Sequence, residues 1–261
     1  MFDDDDWDDD DDDLEDMLDG EEATNLQMLN LIKKTNETYK EFIGNGYQDG
    51  NPVAGQPIGT GYTLVDKEEN TLYETFDNDA EEAEFNLLKQ LVFDDQNYEQ
   101  AIPQLLQAIE KYPQREQFYF LLQFAYTHNN QFDESDVILE RTYNRFPDYL
   151  PHRVDFADIL LDQGRNDEIP AVFDNKADLA DIYPGQTEFN IELAANYYGI
   201  MCRYYSIIGD IASADRYMDA LINEDYNLIT QYGTTLLKIP VYGFLTAKFE
   251  AMNTGDEALD F

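Results

Sequence analysis

Cys202, His128 and His152 are the residues whose side chains most readily do chemistry, and their spacing brings none of them into a known arrangement. Cys202 is the only cysteine, so neither an intrachain disulfide nor a CxxC metal pair can form. Flanked by Met201, Tyr204 and Tyr205, it reads as a core thiol. Two histidines and one cysteine make a poor ligand set for a transition metal, so no metal and no cofactor is expected. With 56 Asp and Glu in the chain, any two carboxylates can be paired as acid and base, and such a pair says nothing about catalysis. Gly55, Gly59 and Gly61 are followed by Tyr62, Thr63 and Leu64, where a phosphate loop needs Lys and Ser or Thr opening a helix. The Asp3–Asp13 run lacks the turn glycine and ligand spacing of a calcium loop. These patterns favour a non-catalytic role, with a helical enzyme of unknown reaction as an alternative.

Charge narrows the partners. The formal net charge is -40, with 16 basic residues against the 56 acidic ones. A phosphate backbone or an anionic membrane is repelled by such a surface, whereas a basic protein or peptide is attracted. The chain has no uninterrupted apolar segment of the roughly 18 to 20 residues that a membrane span needs, and no basic region followed by an apolar run at its start, so a cytoplasmic protein is expected.

Residues 1–22 hold fifteen acidic residues and no Lys or Arg, which predicts a disordered acidic tail with Trp7 as an aromatic anchor for a partner. An acidic, chaperone-like protein that takes basic partners through this tail is a second reading. Residues 23–81 read as an amphipathic helix followed by a linker. Leu26, Leu29, Ile32 and Asn36 fall on successive turns, and Gly44–Gly61 contains six glycines with Pro52 and Pro57. Tyr62–Asp66 suits a short extended piece.

From residue 82 to 228 the apolar spacing is helical and comes in pairs. Phe85, Leu88, Leu91 and Val92 precede Ala101, Leu105, Ala108 and Ile109, and Pro103 is expected in the first turn of its helix. Phe118, Leu121, Leu122, Ala125 and Tyr126 precede Val137, Ile138, Leu139, Tyr143 and Phe146. Pro113 and Pro147 close these two pairs, and the interval between them is one helical-hairpin repeat. A third pair turns at Gly164, and then the register slips, the next closing proline being Pro184. A helix over Thr187–Ile208, a turn at Gly209-Asp210 and a helix over Ala212–Asn223 follow. Residues 229–252 form the most apolar stretch, read as a capping helix divided or kinked at Pro240, with self-association as a further use of its apolar face. Residues 253–261 are an acidic tail.

The repeating units resemble the tetratricopeptide family. The second unit carries the family pattern at Tyr119, Leu122, Gln123, Tyr126, Ser135, Leu139, Thr142 and Pro147, with its small-residue sites degraded. The first matches at Phe85, Leu88, Val92, Ala101, Leu105, Ala108 and Pro113, and the third at Phe156, Ala157, Leu160 and Gly164. The resemblance implies an all-α fold, a right-handed superhelix of antiparallel helix pairs (an α-solenoid) behind an irregular acidic N-terminal extension. It also implies a concave groove that receives a peptide or partner helix. By repeat register that groove presents Asn86, Gln90 and Phe93, then Phe120, Phe124, Thr127 and His128, then Val154, Asp158 and Leu161, then Gly199, Arg203 and Ser206. It departs from the family's basic, carboxylate-holding grooves because Lys and Arg are almost absent. The same aromatic residues could instead pack against the helix at Leu26–Phe42.

Overall fold

A computed structural model describes residues 20–43, 57–66, 76–223 and 227–257, and Trp7 with the rest of the acidic tail lies outside them. In chain order, helix α1 spans Gly20–Ile43 and strand β1 Thr63–Val65. Helices α2 Asp79–Phe93, α3 Tyr98–Lys111, α4 Glu116–His128, α5 Phe132–Arg145 and α6 Leu150–Asp162 follow, with a 3-10 turn at Asn166–Glu168 and α7 at Ile169–Val172. Then come α8 Leu179–Ile182, β2 Glu188–Asn190, α9 Ile191–Ile207, α10 Ile211–Leu221, α11 Leu228–Tyr232 and α12 Lys238–Glu257. The fold of the described residues is mostly helical. The chain divides into two units, Asp66–Lys176 and Met1–Val65 with Ala177–Phe261.

In the Asp66–Lys176 unit, Asn78 caps α2 by accepting from the amides of Ala80 and Glu81, both at 3.1 Å, and acidic residues at 79, 81 and 82 complement the helix dipole. Each helix buries one apolar stripe against the next: Phe85, Leu88, Val92, Ala101, Leu105, Phe118, Leu122 and Ile138 belong to one core. The helix bounds recur at a fixed interval, the one that separates Pro113 from Pro147. Tyr98–Lys111 returns one step later as Phe132–Arg145, and Glu116–His128 returns as Leu150–Asp162, with both ends of each helix moved by the same step. The turns keep that step as well, because Gln96, Asn130 and Gly164 all take a left-handed conformation, with φ of 49°, 58° and 71°. Only the third of these is the glycine such a turn favours. Side chains follow the same period: the Tyr119 hydroxyl donates to the Pro113 carbonyl at 3.3 Å, and one repeat later Arg153 Nε donates to the Pro147 carbonyl at 2.5 Å.

Pro103 lies one turn further into α3 than its sequence position suggested. The third pair is cut short. After Val172 and Phe173 the backbone turns left-handed at Asp174 and Asn175, so the second helix of this pair never reaches full length. This truncation and the segment carrying α8 and β2 take up the slip in register.

The other unit holds the fourth pair, α9 and α10, which packs with α12, while α1 packs on α11 and α12. The pair therefore groups with the terminal helices in this unit. Its turn keeps the earlier form: the Asp210 amide donates to Tyr205 O at 3.0 Å, as Gln131 does to Tyr126 O at 2.9 Å and Arg165 to Leu160 O at 2.8 Å. The helix expected from Thr187 starts only at Ile191, because Glu188–Asn190 pairs in parallel with Thr63–Val65. Tyr62 locks this pairing with its hydroxyl 2.5 Å from that of Tyr198.

On α1 the buried stripe is Asn25, Met28, Leu29, Ile32 and Thr35, which keeps Leu29 and Ile32 of the expected line and is rotated towards Asn25, leaving Leu26 and Asn36 half-buried. Asn25 sets that rotation: its Nδ2 donates to Thr230 O at 3.2 Å and its Oδ1 accepts from the Thr234 amide at 2.8 Å, which ties α1 to the turn after α11. Pro240 divides the last segment, falling in the first turn of α12, and Leu237, Val241, Phe244 and Leu245 are buried. Those four residues of the apolar segment are thus core residues, and the outward face of α12 shows Ile239, Tyr242 and Phe249.

Candidate interaction surface

Helices α2 and α4 pack against each other, which carries the last residue of α2 to the middle of α4. Phe93 meets Phe124 edge to face at 4.9 Å and 69°. Phe124 stacks on His128 at 3.8 Å and 19°, and Phe120 lies 6.4 Å from Phe124. Residues 120, 124 and 128 are four apart, so helical geometry alone lines them along one edge of α4. Tyr98, the first residue of α3, adds a fifth ring 5.8 Å from His128. Phe93, Tyr98 and Phe124 rest partly against the core, while Phe120, at 40% exposure, and His128 face solvent. Stacked and edge-to-face contacts of this kind hold aromatic rings in fixed orientations.

The imidazole is also fixed. His128 Nδ1 lies 2.9 Å from the Phe124 carbonyl, and because a carbonyl only accepts, Nδ1 carries the hydrogen. In the neutral ring Nε2 is then the acceptor.

Of the other residues assigned to the groove by repeat register, Asn86, Gln90 and Asp158 are exposed. Thr127 is turned to α5, its hydroxyl 2.9 Å from that of Ser135 and 3.1 Å from the Gln123 carbonyl. Val154 and Leu161 are buried, Leu161 at 4% exposure, and present no binding surface. Arg203 lies on α9 in the other unit, where Gly199 and Ser206 are buried. A Cβ on Gly199 would come 2.9 Å from Leu237 and 3.2 Å from Pro240, so this glycine serves the close approach of α9 and the start of α12. Tyr98 was not singled out by sequence. A signal existed, for Tyr98 and Phe132 open equivalent helices one repeat apart as aromatic residues.

The remaining chemistry-bearing residues take structural places. Cys202 is fully buried, and burial pushes its thiol well above the ordinary range, away from the nucleophilic thiolate. His152 is buried with Nε2 3.3 Å from Glu116 Oε2, packed between Phe146 and Tyr149 at the position Phe118 holds one repeat earlier. Among the described residues no three His, Cys, Asp or Glu side chains stand together as a metal-holding group, and no helix is long and apolar enough to cross a membrane. Comparison of the chain with family models, curated proteins and solved structures finds no match in any of the three.

Proposed function

We propose that the protein is a non-catalytic scaffold of the tetratricopeptide-like kind, its helix pairs wound as a right-handed superhelix, which binds a peptide or partner helix along the aromatic edge of α2 and α4. The recurrence of helix bounds and turn conformations at one interval supports the repeat reading. The binding reading rests on a single observation: Phe93, Phe120, Phe124 and His128, which are far apart or a full helical turn apart in sequence, form one partly exposed row. An aromatic row at the surface is the kind of patch that marks an interaction site. Its partner is a protein segment rather than a nucleic acid, given the charge of -40.

An array of immobilised peptides of varied composition, probed with the full chain and with Phe120→Ala and Phe124→Ala, tests this. The expected result is a defined set of peptides that the wild type retains and both variants lose, with far-UV circular dichroism melts showing each variant folded. Equal retention by wild type and folded variants overturns the reading.

A further inference from the structure

We infer that the segment taken by this row is cationic and guanidinium-bearing, arginine side chains of the partner lying flat on the exposed ring of Phe120 and meeting the solvent-facing edge of His128, with Phe124 as the ring packed between them. This rests on the binding surface proposed above and names the chemistry of its occupant.

Three observations converge on that class. Phe120 offers a solvent-facing ring, and ring faces carry negative quadrupole potential that attracts cations. The chain as a whole carries a net charge of -40, so a cationic segment is drawn to it and an acidic one is turned away. His128 supplies direction. With Nδ1 committed to the Phe124 carbonyl, the neutral ring presents Nε2 in its own plane as an acceptor at the end of the row, which suits an N–H donor of a cation that approaches the ring edge. A guanidinium satisfies all three demands, being planar, weakly hydrated and rich in donors. The ammonium of lysine also carries charge and donors, but it is a strongly hydrated point charge and cannot lie flat on a ring. A second copy of this chain is disfavoured as occupant by the same negative charge.

Fluorescence anisotropy with the full chain and three labelled probe peptides of one length tests the inference: alternating Arg and Ser, alternating Lys and Ser, and alternating Leu and Ser. The Arg peptide is expected to bind about tenfold more tightly than the Lys peptide at equal ionic strength, as stacking adds to charge. Phe120→Ala, and separately Phe124→Ala, should remove that advantage and leave the Lys peptide unchanged. His128→Phe, which keeps a ring and removes the acceptor, should weaken the Arg peptide about threefold, a loss on the scale of one hydrogen bond. Equal binding of Arg and Lys peptides, unaltered in Phe120→Ala, overturns the inference and leaves only the general acidic field. Binding of the Leu peptide alone, lost in Phe120→Ala, overturns the guanidinium assignment while the binding surface stands. If no probe responds to Phe120→Ala or Phe124→Ala in variants that melt as wild type, both fall.

Discussion

Lys248 Nζ lies 2.5 Å from Asp215 Oδ1, inside the unit built from the terminal helices and the fourth helix pair. The lysine is 2% exposed, donates to Asn36 Oδ1 at 2.6 Å and sits over the rings of Phe244 and Tyr39 at 4.6 and 4.9 Å. A cation so placed joins α1, α10 and α12 through one atom. Burial outweighs pairing for both partners: it raises the Asp215 carboxyl and lowers the Lys248 ammonium.

A carboxyl raised on folding binds its proton more tightly in the native state. Asp215 therefore contributes stability that grows as pH falls through its folded pKa towards its unfolded value, opposite to a surface-paired carboxylate. Urea unfolding of wild type and Asp215→Asn between pH 7 and pH 4 should show the difference in favour of wild type widening on acidification. A difference that narrows would mean that pairing dominates burial. Asp215→Ala at pH 7 leaves a buried lysine without its carboxylate and should cost about 3 kcal/mol.

Asn25 and Gly233 are coupled. A Cβ on Gly233 would meet Asn25 Oδ1 at 2.8 Å and the Ile229 carbonyl at 2.5 Å. Gly233→Ala should displace Asn25 from its two backbone partners and destabilise the protein by about 2 kcal/mol, close to the loss from Asn25→Ala. The double variant should cost clearly less than the two single losses combined, as measured by a double-mutant cycle in urea. Full additivity would separate the two residues.

The repeated turns predict opposite effects for one exchange. Gln96 holds the left-handed conformation that Gly164 holds two repeats later. Gln96→Gly should stabilise the protein by about 0.5–1 kcal/mol, and Gly164→Ala should destabilise it by about 1 kcal/mol. Equilibrium denaturation reads both, and a loss in Gln96→Gly would show that the side chain outweighs the backbone there.

Arg153 stands where Tyr119 stands one repeat earlier, both reaching the carbonyl of the preceding proline, and Arg153 adds an ion pair with Asp174 at 2.8 Å. Arg153→Met removes a buried, hydrogen-bonded charge and should cost about 2–3 kcal/mol. Arg153→Tyr should recover part of that loss by restoring a donor to the Pro147 carbonyl. Thermal and urea melts that rank the tyrosine below the methionine would break the equivalence.

Local order was written in residue order. The helical apolar spacing of Phe85–Val92 and Phe118–Tyr126, the interval from Pro113 to Pro147, and the turn glycines Gly164 and Gly209 all follow from sterics and burial acting within a few turns of chain, and helices α2 to α6 of the Asp66–Lys176 unit stand where these signals put them. The same holds for i, i+4 neighbours such as Phe124 and His128, which one helix alone brings together. What the sequence could not determine was which partner each face finds. Asn25, not Leu26, faces inward on α1 because two backbone groups near the other end of the chain, at Thr230 and Thr234, require its amide. Leu161 is buried, though its repeat position marks it for display, and Phe93 meets Phe124 only because α2 and α4 pack together. Periodicity specifies that a face is apolar. The surface that covers it is decided by long-range packing, where side-chain shape and hydrogen-bond satisfaction are settled between segments that the chain order keeps apart.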